Sequence, residues 1–571
     1  MTEPMTERRP RLVDPCPPFE DSDDRPEVRI ENAKPHDAID ELSALLYLDR
    51  SLYVRGKELV TIVGALPPQE GDRAPAAEST PMIVPVEAAT LTERITRAVR
   101  VTRRKPPTKV ETMMLSRTGV EMPAEWIPTL PPAGVVGGIL ARRQWPLRHL
   151  RSVNETPILR PDGSLLQVAG YDKVTGYVYR PSCDYPEIPE RPTQEDAARA
   201  LGELLEVFVD FPYVDASSRM VPIAAILTVL ARSAIVGSCP AFLLDATTRG
   251  SGKTLQADAV SAVALGRSAA RKSYPVEEEE LGKVLASYAL AGARLILFDN
   301  VTREFGGGEI DQAITARDTV EFRVLGRTEV KCLPWAAVLL ASGNNITLSE
   351  DTVRRVLIAR LESPDENPED RTGFKHPHLY EWIIEERPRL VAAALTVLRA
   401  FARLGGHLHD GKAWGSFEAW SRLVPGAIVY AGGADPMLSR PSVEQHASDA
   451  SRALAVVLEL LPKLEARSLE SKRQLCLRTG VPLVPSRGLT TREIIHELYP
   501  ENMTDGERNG DGWEDLRDAI EAWTSPKPGQ KPSLQALGLR LRSSLGRYVG
   551  GKRLIREQAT DRKKTVRWLV T

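Results

Sequence analysis

Residues 247–254 read Thr-Thr-Arg-Gly-Ser-Gly-Lys-Thr, preceded by the apolar run Ala241-Phe242-Leu243-Leu244 and followed from Leu255 by a segment that suits a helix. A buried strand, a glycine-rich turn and then a helix is the order a phosphate-binding loop needs. Glycine lets backbone N–H groups converge on phosphate oxygens. Thr247, Thr248, Arg249, Gly250, Ser251, Gly252, Lys253 and Thr254 are therefore the candidate nucleotide-binding residues. Lys253 would reach the β- and γ-phosphates of ATP, and the Thr254 hydroxyl would sit on Mg2+. Thr247 stands where the pattern has its first glycine. The Gly250–Thr254 half, which makes the direct contacts, is intact.

Downstream, Arg294-Leu295-Ile296-Leu297-Phe298-Asp299-Asn300 places an acid at the end of an apolar strand. This matches a Walker B pattern, with Asp299 joining Thr254 around Mg2+. Many ATPases of this kind place a second acid next, to activate water. Here Asn300 follows, which can orient a water but cannot take its proton. Glu304, Glu309 and Asp311 are the nearby candidates for a base. A further apolar run, Ala336–Ala341, ends in Ser342-Gly343-Asn344-Asn345. Asn344 and Asn345, at a strand tip beside Asp299, would sense the γ-phosphate and position water; an ordinary Asn-Asn loop is the plainer alternative. Arg354 and Arg355 come just before the strand-like Val356–Ala359. An arginine there suits a finger that reaches a neighbouring subunit's ATP, although an Arg pair also suits plain surface.

The order of P-loop, Walker B acid, Asn-tipped strand and arginine before a short strand resembles the AAA+ ATPases. Thr319-Val320-Glu321-Phe322-Arg323-Val324 alternates polar and apolar residues, and Gly326 offers a turn, so a β-hairpin is expected just before the Asn-tipped strand. That hairpin looks like the one in superfamily 3 helicases and the poxvirus-type primase-helicases of phages and plasmids. The resemblance spans about residues 240–362. It implies a six-subunit ring whose hairpin residues track single-stranded DNA. By it, Arg327 at the turn and Lys331 at the base are DNA candidates, Arg323 belongs to hairpin or core, and Arg355 fits the finger best, with Arg354 second.

These residues need elements to position them. The expected fold is multidomain α/β, with a central AAA+ P-loop ATPase core, a helical region after it and a C-terminal winged-helix domain. The expected limits are an acidic, Pro-rich disordered tail at 1–26, an N-terminal α+β domain of unassigned role at 27–190, the ATPase core at 191–365, a helical lid or linker at 366–475 and the winged-helix-like domain at 476–571. In the N-terminal domain, Leu52–Arg55 and Leu59–Val63 read as strands joined at Gly56-Lys57, and Gln69–Thr80 reads as a loop. Arg94, Arg97 and Arg100 recur at helical spacing, as a phosphate-facing stripe or a solvated helix face. Gln194–Val209 and Pro222–Val236 read as helices leading into the P-loop strand. Pro388 suits the first turn of a helix carrying Leu390–Phe401.

At the C-terminus, Thr490 and Glu493 form a capping box that opens a helix to Leu498. Gly512–Trp523 and Ser533–Leu545 read as two more helices, the last with Leu534, Leu537, Leu541 and Leu545 on one face and Arg540 and Arg542 off it. Two strands follow, Arg553–Arg556 and Thr565–Val570, joined by a basic tip. This resembles a winged helix, whose third helix would carry Arg540 and Arg542 into a DNA major groove. Arg562, Lys563 and Lys564 on the wing would meet phosphate.

Composition agrees with that placement. The net charge is −2, yet residues 531–571 hold eleven Lys or Arg against two acids, leaving 64 basic and 75 acidic residues elsewhere. A basic terminal module on an acidic body suits contact with nucleic acid, and a solvated basic surface is the alternative. The five cysteines are scattered and form no CxxC pair, so no zinc site or disulfide framework is indicated, and a reducing cytoplasm fits. The N-terminus does not read as a signal peptide, and the apolar stretch Met220–Ala231 is too short to span a bilayer. No Asp-x-Asp strand or Cys/His cluster suggests a primase, so a separate chain would supply that activity wherever it is needed. Two functions compete. One is a ring-forming DNA helicase serving replication of a phage, plasmid or integrated element, with single- and double-stranded DNA as partners. The other is an ATP-controlled DNA-binding initiator or regulator.

Overall fold

Four apolar runs and one polar edge segment build a five-stranded parallel sheet. Its order is Arg271–Ser273, Leu295–Val301, Val338–Asn344, Ala241–Ala246 and Val356–Leu361. The P-loop strand Ala241–Ala246 is buried at every position, as expected of a strand covered on both faces. It lies between the Asn-tipped strand and Val356–Leu361, while the chain leaving it crosses to the far edge of the sheet. Connections diverge there, and such a divergence opens a crevice at the C-terminal ends of parallel strands.

The computed structural model describes the chain except for residues 1–24, 32–33, 65–79, 119–124, 249, 324–329, 350, 364–367, 406–412, 442–448, 483–486, 501–510, 525, 527–529, 547, 550 and 559–565. Residues 1–24 of the expected tail, the greater part of the Gln69–Thr80 loop, and Arg249, Arg327, Arg562, Lys563 and Lys564 lie outside the described residues. Two compact units are present. The first comprises 1–302, 306–346 and 355–440; the second comprises 303–305, 347–354 and 441–571.

In the first unit, helix Gln194–Val207 opens on a capping box between Thr193 and Asp196. Helix Ala216–Ala231 is capped by Asp215, so it starts before Pro222 rather than at it; Pro222 lies inside, buried with its neighbours. Pro388 corrects a second expectation. It sits within one long helix, Leu379–Ala402, and not at a helix start. An interior proline removes one hydrogen bond. The long helix is held by its surroundings: Ile383, Leu390, Val391, Leu395 and Leu398 are buried, and the helix packs on Gln194–Val207 and Lys253–Leu265.

Towards the N-terminus, Leu52–Arg55 and Glu58–Val63 pair antiparallel as expected, with Met82–Pro85 as third strand. The Arg94, Arg97, Arg100 stripe is not formed. Helix Ala88–Ala98 ends before Arg100, which lies on strand Arg100–Arg104. Arg97 pairs with Glu93, and Arg94 lies 3.8 Å from Asp49.

The expected hairpin is present, with Thr319–Arg323 and Val330–Pro334 antiparallel. Arg55 ties it to the rest of the unit. Its buried guanidinium donates to the carbonyls of Leu150, Arg151, Ala289 and Pro334. Burial pushes its pKa down to about 10.

The second unit is built from helices Asp449–Thr479, Thr491–Leu498, Glu514–Thr524 and Leu534–Ser543, then strands Tyr548–Val549, Lys552–Gln558 and Val566–Val570 in one antiparallel sheet. Its core gathers Leu454, Leu458, Leu461, Ile494, Leu516, Trp523, Leu537, Leu541 and Trp568. Helix Asp449–Thr479 contributes to this core and runs through position 475, and the C-terminal stretch of the unit starts at Pro441. Thr490 and Glu493 make the expected capping box. Leu537 and Leu541 are buried, but Leu534 is exposed on the rim of a 360 Å3 cavity, so the apolar face of that helix is shorter than its leucines suggest.

No helix among the described residues is long and apolar enough to cross a membrane.

Candidate functional site

The loop after Ala241–Ala246 turns twice through the left-handed region, at Gly250 (φ 75°) and Gly252 (φ 84°). A side chain at either position would be strained by the backbone alone. A Cβ on Gly250 would also strike the Glu369 carboxylate, and one on Gly252 would come within 3.1 Å of the Phe211 ring. Gly252 caps helix Lys253–Leu265, so the positive end of that helix faces the loop. Lys253 Nζ donates to the Thr248 carbonyl at 3.1 Å, and Ser251 Oγ donates to the same oxygen at 2.8 Å. Half-burial pushes the Lys253 pKa down, opposed by the Asp245 and Asp299 carboxylates. Thr254 is exposed at the helix start.

Asp299 reaches this crevice from the strand Leu295–Val301, which carries a register shift between Phe298 and Val301 where it pairs with Val338–Asn344. Such a bulge re-aims side chains. Ser342 Oγ donates to Asp299 Oδ1 and accepts from the Asn300 backbone N–H at 3.1 Å. Asn300 and Asn345 both adopt left-handed backbone, with φ 54° and 48°. Asparagine tolerates this better than most residues, and strained positions of this kind gather at functional sites. The Asn344 Oδ1 atom is buried with no hydrogen-bond partner among the described residues. Asn345 lies within 3.5 Å of Arg360, which also faces the fully buried Asp245.

These donors fit a nucleoside triphosphate with a divalent cation. A glycine cradle, a helix N-terminus and a lysine suit phosphate. Thr254 Oγ1 and Asp299 would offer the hard oxygen ligands that Mg2+ prefers, and the unpartnered Asn344 oxygen could accept from a water.

Of the base candidates, Asp311 pairs with Arg355 at 2.8 Å. Glu309 stands beside Glu278; burial, then the Glu278 charge, holds its pKa above the ordinary value. Glu304 is exposed. Arg354 pairs with Asp351 at 2.7 Å and is largely exposed.

Lys331 is not a free cation at the hairpin base. It pairs with Glu58 at 2.6 Å, and Arg143 lies 3.7 Å from the same carboxylate. Hairpin and N-terminal strand fold against each other, so a lysine that would otherwise face solvent meets an acid. Arg540 and Arg542 are exposed on their helix, off the face carrying Leu537 and Leu541.

Four residues of this region carry no sequence signal. Ser342 gives its hydroxyl to Asp299. Asp245 and Arg360 face each other on adjacent strands, and Arg271 lies beside Asp299. Adjacent parallel strands join the Asp245–Arg360 pair directly, at opposite register positions. Only the strand order brings them together.

No protein-family model and no curated protein matches the chain. Among solved structures, the apo C-terminal region of NrS-1 is similar at a TM-score of 0.30 and 11% identity, over 68% of this chain and 79% of that one. A JCV helicase bound to a small acetamide is similar at a TM-score of 0.19 and 13% identity, over 42% of this chain and 74% of that one. A further JCV helicase structure gives the same score over 46% and 72%. The site stands on its own residues.

Proposed function

We propose that this chain is a P-loop ATPase that works as a ring-forming DNA helicase in the replication of a phage, plasmid or integrated element. One observation carries the reading. At the C-terminal edge of a parallel sheet, the Gly250–Thr254 cradle, the Asp299 carboxylate held by Ser342, and the Asn344 tip converge where strand connections diverge. In this reading Lys253 and the helix N-terminus bind the phosphates, and Thr254 and Asp299 hold Mg2+. Asn344 and Asn345 position water, and Arg355 acts on a neighbouring subunit's nucleotide. The hairpin Thr319–Pro334 tracks single-stranded DNA. The second unit engages duplex DNA as a winged helix through Arg540 and Arg542, with Arg562, Lys563 and Lys564 on its wing.

A second reading, an ATP-controlled DNA-binding initiator or regulator, is favoured by Asn300. An amide stands where a second acid would activate water, and its backbone N–H is committed to Ser342. Lys331, engaged with Glu58, points the same way.

One experiment separates these readings. ATP turnover is measured with and without single-stranded DNA for the wild type and Lys253→Ala, alongside particle size with ATP. The helicase reading expects DNA-stimulated turnover, growth to a ring with ATP, and a loss of at least about 100-fold in turnover for Lys253→Ala. ATP binding without DNA stimulation or fork unwinding would leave the regulator. Equal turnover by the wild type and Lys253→Ala would remove the catalytic assignment.

A further inference from the structure

Beside the proposed nucleotide site three charged side chains form a line that ends on Asp299. Asp258 stands four residues after Thr254 on helix Lys253–Leu265, and this spacing puts both on one helix face. Asp258 is only 8% exposed. Its Oδ2 takes a 2.5 Å contact from Arg271 Nη2, while its Oδ1 is buried with no hydrogen-bond partner among the described residues. Arg271 begins the edge strand Arg271–Ser273, in register with Leu297, while Ser273 is opposite Asp299. The two-residue period of a strand puts Arg271 and Asp299 on the same face of the sheet. Arg271 Nε lies 4.0 Å from Asp299 Oδ2, while the other carboxylate oxygen accepts the Ser342 hydroxyl.

A buried carboxylate is costly unless paired, which gives Asp258 reason to hold a guanidinium. Structure alone would be served by such a pair anywhere along the helix. Here the guanidinium lies 4.0 Å from the acid that would hold the cation. Two opposing forces follow. With Asp258 neutralised, Arg271 is free to close on Asp299 Oδ2 and compete with a cation for that oxygen. With Arg271 neutralised, Asp258 adds a second uncompensated carboxylate to the region.

We infer that Asp258 and Arg271 are a charge-setting pair that positions the Asp299 carboxylate and tunes its hold on a divalent cation. This rests on the nucleotide-site reading above. Both act through Asp299 and are positioning residues.

The test uses the full chain and equilibrium binding of a fluorescent ATP analogue, titrated with Mg2+, so that its readout is binding and not turnover. Asp258→Asn should raise the Mg2+ concentration at half-saturation by about five- to tenfold, because an uncompensated cation nearby opposes the metal. Arg271→Gln should lower it by about two- to threefold, the opposite sign. The double variant should return to within about twofold of wild type, since the two charges cancel together. If burial of an unpaired acid keeps Arg271→Gln from folding, Arg271→Lys keeps the charge without the planar fork and should stay near wild type. Unmoved single variants, or single variants that shift in the same direction without recovery in the double, would overturn the pair's role. A wild type that binds the analogue no better than Lys253→Ala would instead overturn the nucleotide-site reading, and the inference with it.

Discussion

At the scale of single residues, the proposed chemistry turns on what activates water. Asn300 cannot take a proton, and Asp311 is engaged by Arg355. Of the two carboxylates left, Glu304 is exposed, while Glu309 has a pKa held above the ordinary range by burial and then by Glu278. A base works only when ionised. A raised pKa therefore means that activity is lost at a higher pH on acidification than an ordinary glutamate, near 4.3, would give. If Glu309 is the base, kcat should fall as pH drops through that raised value. Glu278→Gln, by removing the neighbouring charge, should move the acid limb to lower pH. Glu309→Gln should reduce kcat by about 100- to 10,000-fold while leaving nucleotide affinity intact. A pH profile of kcat for the three proteins checks this; full turnover in Glu309→Gln would move the base elsewhere.

At the scale of elements, Arg55 joins the strand Leu52–Arg55 to the helix Glu278–Ala291 through Ala289 and to the hairpin through Pro334. Arg55→Ala would leave four carbonyls, two of them in buried contacts, without this donor and should cost on the order of 3 kcal/mol. The measurement is the midpoint of the first thermal transition, which should drop by several degrees, with faster proteolysis at the hairpin. An unchanged melt would mean that water replaces the guanidinium. What the sequence made legible follows the range of the interactions. The P-loop strand, the Thr490 capping box and the hairpin Thr319–Pro334 are set by neighbours in the chain, through apolar runs, a four-residue cap and alternation. The edge strand Arg271–Ser273 has no apolar residue to mark it, so neither it nor the approach of Arg271 to Asp299 could be read. Pro388 misled for a related reason: burial of a long helix face outweighs one lost hydrogen bond, and burial depends on partners distant in sequence. Lys331 looked free because Glu58 lies 273 positions away.

At the scale of the whole molecule, the question is whether one chain holds a complete site. Arg355 is held by Asp311 within its own chain, a contact that fixes the guanidinium before any neighbour arrives. In the proposed ring, subunits would join head to tail, and each interface would set one subunit's P-loop against another's finger. Lys253→Ala would then damage a subunit's own site, and Arg355→Ala would damage the site of its neighbour. Each variant alone should retain at most about 1% of wild-type turnover, since a finger arginine contributes about a thousandfold or more. Mixed in equal amounts and allowed to exchange subunits, the two should regain activity. Where an Arg355→Ala subunit presents its intact Lys253 to a Lys253→Ala neighbour that keeps Arg355, the shared site is wild type. Random mixing makes roughly one interface in four of this kind, because a heterologous interface draws each side independently. Recovery towards a quarter of wild-type turnover, with the mixture running as one particle size, is the expected result. No recovery despite subunit exchange would place Arg355 in the service of its own chain, where its partner Asp311 already lies.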